Sequence, residues 1–213
     1  CSMVRVASSV RKEALMPDVV VLFSGGLDST VAATKALLEG RLHSVLSIRY
    51  GAAHTVAESL AAARGATKHE VPRVVLDVYL DGVSAMITGS GVAGPRILPG
   101  RNLILIAHAV SYAAQRDLKE VWIGCNRDDA DAYPDCSRLF LDGADSAAWW
   151  GARVNVRAPL IGSNKVEVVR AARRLGVDVD ATWSCYEPTK EHPLDPCGTC
   201  NACALRTYAL KLA

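Results

Sequence analysis

Residues 18–30 read DVVVLFSGGLDST: five apolar side chains followed at once by two glycines, three hydroxyls and an acid. The apolar run has strand length, and apolar residues at every position ask for burial of both faces, the habit of a central parallel strand. The glycine pair lets the backbone turn sharply and approach a ligand with no Cβ in the way. The next stretch, LDSTVAATKALLEG (residues 27–40), reads as a helix with Gly40 placed to end it. Such a helix points its free N–H groups and the positive end of its dipole at the loop, which makes an anion site there. Ser24, Ser29 and Thr30 add hydroxyl donors. Asp28 is the odd member, since a carboxylate beside phosphates needs a bridging cation such as Mg²⁺. No Gly-Lys-Ser/Thr motif comes after it, so this is not the Walker pattern. The competing reading is a plain tight turn in which Asp28 or Ser29 caps the helix.

Outward from this loop, apolar runs of strand length alternate with longer amphipathic stretches, the mark of a mainly parallel sheet wrapped by helices. HSVLSIRY (43–50), RVVLDVYL (73–80), EVWIGC (120–125) and RVNVRAPL (153–160) supply strands two to five. The expected helices are HTVAESLAAARG, closed by Gly65; the very apolar RNLILIAHAVSYAAQRD; a stretch through Trp149 and Trp150; SNKVEVVRAARRLG, capped by Ser163 or Asn164; and residues 201–212. ITGSGVAGPRILPG (87–100) reads as a glycine- and proline-rich loop. The 213 residues suit one doubly wound α/β domain with a small appendage, and a half-hydrophobic composition excludes global disorder. A net charge of +2 argues against a general nucleic-acid clamp. No apolar run is long enough to cross a bilayer, and the N-terminal stretch lacks the compact apolar centre of a secretory signal, so a cytoplasmic protein is expected. Cys1-Ser2 ahead of Met3 reads as a remnant before the natural start.

Four of the seven cysteines crowd into SCYEPTKEHPLDPCGTCNAC: Cys185, then Cys197, Cys200 and Cys203 as C-x-x-C-x-x-C. Four thiolates with two short chelating spacers suit a tetrahedral, structural Zn²⁺ with no open position for catalysis. An iron–sulfur cluster is the competitor. The chain is therefore expected to divide into residues 3–182 and a zinc-binding tail, 183–213. Cys125 reads as a small buried apolar residue, and Cys136 has no histidine placed beside it for covalent catalysis.

SGGLDS resembles the pyrophosphatase loop of the ATP-pyrophosphatase (PP-loop) superfamily, whose members split ATP to AMP and pyrophosphate while adenylating a substrate. That resemblance implies that Phe23, Ser24, Gly25, Gly26, Leu27, Asp28, Ser29 and Thr30 form the ATP site. LPGRN (98–102), YPDC (133–136), PLIGSNKVEV (159–168) and SCY…CGTCNACALR (184–206) occur in an order that resembles the 7-cyano-7-deazaguanine synthase (QueC) family of queuosine biosynthesis, over nearly the whole chain. The resemblance implies that 7-carboxy-7-deazaguanine is adenylated with ATP, that ammonia displaces AMP, and that the amide is adenylated again and dehydrated to the nitrile. It also suggests a homodimer. Lys165, at a helix start after the fifth strand, is the expected chief cation, with Asp28 and Arg101 beside it in the chemistry. Arg101 suits phosphate or carboxylate oxygens. Asn102, Tyr133, Asp135 and Arg138 are the expected substrate contacts; among the acids 128, 129, 131 and 135, Asp135 is singled out to accept from the purine-like edge.

Two departures from the family pattern stand out. The family's Asp-Tyr-Gly-Gln-Arg-His after the second strand is here RYGAAH (49–54), and Ser137 precedes Arg138 where Arg follows the cysteine directly. The loop before PGRN is also short. Losing Gln and Arg to Ala52-Ala53 opens space, so a ligase that passes the activated acid to a larger amine, such as a protein N-terminus in antiphage defence, is the alternative acceptor reading. A tRNA sulfur-transfer enzyme of the superfamily and a non-catalytic zinc protein that binds nucleotide are the further alternatives.

Overall fold

The computed structural model describes residues 16–52, 54–78, 98–189 and 191–213. Cys1-Ser2, Ala53, Tyr79, Leu80 and most of the 87–100 loop lie outside the described residues. Five strands, β1 (Val19–Leu22), β2 (Leu42–Arg49), β3 (Arg73–Asp77), β4 (Glu120–Trp122) and β5 (Asn155–Arg157), form one sheet in the order β3-β2-β1-β4-β5. Every pairing is parallel. From β1 the chain goes first to β2 and β3 on one side, and only later to β4 and β5 on the other. The strand order therefore reverses between β1 and β4, and a crevice opens there at the carboxyl ends of the strands, where open α/β sheets bind ligands.

Seven helices are described: α1 (Leu27–Leu38), α2 (Thr55–His69), α3 (Arg101–Ala114), α4 (Asp129–Ala132), α5 (Arg138–Ala152), α6 (Lys165–Arg174) and α7 (Asn201–Leu212). They cover both faces. Val19, Val21 and Phe23 pack with Ala32, Ala36, Ala62 and Ala66 of α1 and α2, while Val20 and Leu22 pack with Ile106, Ala109 and Leu141 of α3 and α5. The alternation along β1 thus supplies both layers from one uninterrupted apolar run. Full burial of each of these valines contributes roughly 1.5–3 kcal/mol. A third cluster joins Leu27 and Val31 of α1 to Val168 and Ala172 of α6 and Ala209 of α7. It fixes the C-terminal helix beside the start of α1.

Several expected boundaries move, and the fourth strand stops at Trp122 rather than Cys125. Gly65 does not end α2, which runs to His69 and stops at Glu70 in the left-handed region (φ 54°). Gly65 is instead a close-approach residue, because a Cβ there would lie 2.8 Å from Cζ of Phe23. The fifth strand is shorter than RVNVRAPL, since Arg153 (φ 57°) closes α5 and only residues 155–157 pair with β4. Gly40 (φ 69°) follows α1 as expected. Asn164 caps α6 in a full capping box with Glu167. Among the described residues no helix is long and apolar enough to cross a membrane.

Candidate active site

The loop between β1 and α1 is pressed between two backbones. Gly25 sits at φ 77°, and a Cβ on it would lie 2.3 Å from the Ala62 nitrogen of α2. On the other side a Cβ on Gly124, just past β4, would lie 2.7 Å from the Ser29 nitrogen and 2.9 Å from the Asp28 carbonyl carbon. Only glycine fits either place. Ser24 Oγ accepts from the Gly26 N–H (3.2 Å), and the Ser29 and Thr30 hydroxyls donate back to the Gly26 carbonyl (3.0 and 2.9 Å). Gly26 is the N-cap of α1 and no side chain caps this end, so its first-turn N–H groups face the crevice. Phe23, Ser24, Gly26, Leu27, Asp28 and Ser29 line a cleft of about 270 Å³. Gly25 and Thr30 do not; they lie behind it, against a second cavity.

Lys165 opens α6 and is 7% exposed, yet its ammonium reaches into the cleft and pairs with Asp28. The other Asp28 oxygen accepts from Asn126 Nδ2 (3.1 Å), and the same amide donates to Asp129 Oδ2 (2.8 Å). Asn126, with no exposed surface at all, therefore ties two carboxylates together beside one ammonium. Burial, then the Asp28 charge, pushes the Asp129 carboxyl up to about 6. Burial lowers the Lys165 pKa, but Asp28 and Asp129 outweigh it and the net direction is up, so the lysine stays charged. Asp128 accepts from the Lys165 backbone N–H (2.8 Å), which helps to seat the helix that carries the lysine. Asn126 and Gly124 carry no signal in the sequence: Gly124 falls inside the expected fourth strand, and Asn126 opens the acidic loop after it, where an asparagine is too common to mark a bridge.

The opposite wall comes from α2, α3 and the tail. Arg101 donates from Nη1 to the Tyr50 hydroxyl (3.2 Å), while its buried Nε has no partner among the described residues. Burial pushes Glu58 up to about 7 and His54 down to about 4. Tyr50, Tyr133 and Tyr186 are all raised, first of all by burial. Arg101, Asn102 and Tyr133 line the cleft as expected. Asp135 and Arg138 do not. Asp135 turns to α3, accepting from the Asn102 N–H (2.9 Å), while Asn102 Nδ2 donates to the Asp135 carbonyl (3.0 Å) and to Cys136 Sγ (3.2 Å). Asp135 thus satisfies the first turn of a helix whose N-cap, Gly100, has no side chain. Arg138 points outward, 72% exposed, and pairs with Asp142 on its own helix. Arg49, one of the departures, makes a two-point pair with Asp77 across β2 and β3 (2.7 Å each).

Cys185, Cys197, Cys200 and Cys203 bring their sulfurs within 4.8 Å of one another. Tetrahedral zinc with bonds of about 2.3 Å needs sulfurs about 3.8 Å apart; Cys197 stands 3.5 Å from Cys185 and 4.0 Å from Cys203. A four-iron cube binds each thiolate through a different iron and would hold them further apart, so the spacing fits a single ion. Backbone N–H groups of Glu187 and Cys197 donate to Cys185, and that of Cys200 to Cys197. N–H donors from Cys200 and Thr199 draw the Cys197 thiol down to about 6, toward the thiolate a metal requires. The tail meets the loop between β1 and α1 directly: the Trp183 N–H donates to the Gly25 carbonyl (3.0 Å).

A parallel doubly wound sheet thus carries an uncapped helix N-terminus at its switch point and a buried lysine in the same cleft, with a four-cysteine tail packed beside them. The profile described as "Queuosine biosynthesis protein QueC" matches residues 18–213. Named 7-cyano-7-deazaguanine synthases from Synechococcus elongatus and Thiobacillus denitrificans are 37% and 35% identical, over 92% and 90% of this chain and 91% and 92% of theirs. The chain belongs to the QueC family. Among solved structures, the U34-tRNA thiolase NcsA from Methanococcus maripaludis, with its [4Fe-4S] cluster, superposes with a TM-score of 0.52 at 15% identity, over 93% of this chain and 66% of that one, a likeness of fold alone.

Proposed function

We propose that the chain adenylates 7-carboxy-7-deazaguanine with ATP and passes the activated acid to an amine. The observation that carries this reading is the convergence of the uncapped α1 N-terminus, the Ser24 and Ser29 hydroxyls and the Lys165–Asp28 pair in one cleft with Arg101. A carboxylate is a poor electrophile; attack of its oxygen on the α-phosphorus expels pyrophosphate and leaves an acyl adenylate. Lys165 and the helix N–H groups offset charge on the phosphates, and Mg²⁺ bound through Asp28 would add to this. Arg101 orients the acid. Ammonia then attacks the acyl carbon, AMP leaves and the nitrogen gives up a proton, yielding the amide. A second ATP takes the amide oxygen in the same way, and loss of AMP together with both N–H protons gives the nitrile.

Zinc on the four cysteines is structural in this reading. Four protein ligands complete the tetrahedron, so the ion orders the tail and takes no part in the chemistry. The tail, residues 183–213, acts as an appendage to the 3–182 domain, and the active form is a homodimer, which sedimentation would check. Ala52-Ala53 in place of Gln-Arg favours a second acceptor, a larger amine such as a protein N-terminus. One experiment separates the two: incubation with Mg²⁺-ATP, the acid and ammonium, with products read by mass. Nitrile and AMP support the ammonia route. An adenylate or AMP without nitrile supports the larger amine, and the absence of both refutes adenylation of this acid.

A further inference from the structure

Four acids line the cleft: Asp28, Glu58, Asp128 and Asp129. Three are engaged, Asp28 by Lys165 and Asn126, Asp128 by the Lys165 backbone, and Asp129 by the backbone and side chain of Asn126. Glu58 has no hydrogen-bond donor among the described residues. His54 Nε2 lies 3.6 Å from its Oε1. The other ring nitrogen, His54 Nδ1, lies 3.2 Å from the Tyr186 carbonyl, an acceptor, so Nδ1 carries the proton and the neutral ring presents a lone pair at Nε2. His54 Nε2 is thus buried without a hydrogen-bond partner, and the Glu58 carboxyl beside it, when ionised, is an unpaired acceptor. Beside them, the buried Arg101 Nε is a donor without an acceptor, and Arg101 is near enough for its charge to act on Glu58. Glu58, with 24% of its side chain exposed, thus offers acceptors in the cleft to a ligand that brings N–H donors, and the Arg101 guanidinium on the same wall offers donors to an acceptor.

Resting on the functional reading proposed for this cleft, we propose that Glu58 and Arg101 recognise the pyrimidinone edge of the deazaguanine. The Glu58 carboxylate accepts from the ring N–H and the 2-amino group, and the Arg101 guanidinium donates to the 6-oxo oxygen. This edge carries donor, donor and acceptor in a row, the complement of what the wall offers. Asp135, expected from the sequence to accept from this edge, is committed to α3. Glu58 takes its place from α2. Adenine fits the wall less well, because its 6-amino group is flanked by acceptor nitrogens and it has no carbonyl for Arg101. Burial, which raises the Glu58 carboxyl, is relieved when the two donors arrive.

Equilibrium binding to the full chain tests this, with 7-carboxy-7-deazaguanine, its analogue lacking the 2-amino group, and ATP as the three ligands. Wild type is expected to prefer the amino-bearing acid by at least about tenfold. Glu58→Gln should bind that acid at least about tenfold more weakly and lose the preference, with ATP affinity held and no fall in melting temperature. Equal binding of both acids by wild type overturns the proposal without any variant. So does an E58Q protein that keeps the preference, or one in which ATP affinity falls instead. Failure of wild type to bind the acid at all refutes the underlying functional reading, a result distinct from each of these.

Discussion

Removal of the Lys165 ammonium separates what the Lys165–Asp28 pair does for the fold from what it does for the reaction. Lys165→Met keeps the length and apolar stem of the side chain, which is packed at the start of α6. It leaves the Asp28 carboxylate, 20% exposed, with Asn126 as its remaining partner. Breaking a fully buried pair in this way costs about 3–5 kcal/mol. Contact with the open cleft and the retained Asn126 bond place this case lower, at about 2–3 kcal/mol. Asp28→Asn in the same chain removes the stranded charge, so K165M/D28N should regain about 1–2 kcal/mol in urea unfolding. Activity should behave differently. If the ammonium offsets phosphate charge in the transition state, K165M loses roughly 10²–10³-fold in acid-dependent pyrophosphate release, and the double variant recovers none of it. Pyrophosphate release by K165M within about fivefold of wild type would refute the role given to Lys165. Recovery of activity along with stability in the double variant would reduce that role to holding the loop in place.

Three further outcomes rest on the same geometry. Gly124→Ala drives a Cβ into the backbone of Asp28 and Ser29; it should cost about 1–3 kcal/mol in unfolding and weaken ATP binding in titration calorimetry, and an unchanged ATP affinity would show that the α1 start tolerates displacement. Cys203→Ser should lower bound zinc from one ion per chain to a small fraction by elemental analysis, with a fall in melting temperature; full zinc retention would mean that the ligand set is wrong. For pH, the Glu58 carboxyl is raised to about 7 by burial against about 4.3 unfolded. The folded state then holds that proton more tightly, so the stability it contributes is complete below about pH 4 and is lost as pH rises through 7. Glu58→Gln should therefore gain roughly 1–2 kcal/mol on ligand-free wild type between pH 5 and 8, and a pH-independent difference in urea unfolding would contradict this burial.

The sheet was legible because each strand and helix declares itself locally. Val19–Leu22 is apolar throughout as a doubly covered strand must be, and the cysteine spacers declare their chelating geometry in the sequence itself. What escaped were features made by pairs of distant segments. Gly65 looks like a stop until Phe23 is seen beneath it. Asp135 looks like a substrate contact until α3 is seen to begin at Gly100 with no capping side chain, and so to borrow a carboxylate from a segment more than thirty residues on. Asn126, between Asp28 and Asp129, is 98 positions from one of its partners. No local pattern encodes such meetings; they are set by the strand order, which brings the ends of β1 and β4 together.

The same strand order would place a metal held by the four cysteines, with no open coordination position, close to the proposed chemistry. Cys185 would be a ligand, but it is also the middle of a short segment whose neighbours build the cleft. Trp183 bonds the Gly25 carbonyl behind the phosphate loop, and its indole N–H donates to the Cys185 carbonyl (2.7 Å). Tyr186 gives its carbonyl to His54, fixing the ring that faces Glu58. Arg206, on the helix that carries Cys203, donates to the Thr182 and Ser184 hydroxyls at the other end of the segment (2.8 and 3.0 Å). Without the ion the four thiols have little to hold them together, because the tail residues 191–196 are exposed and add nothing to a core. Loss of metal is then felt first along residues 183–186, at the phosphate loop on one side and at the His54–Glu58 wall on the other. A chelated or C203S protein should accordingly lose affinity for both ATP and the acid while its sheet stays folded. Loss of only one of the two affinities would show that the segment does not act as a single strut.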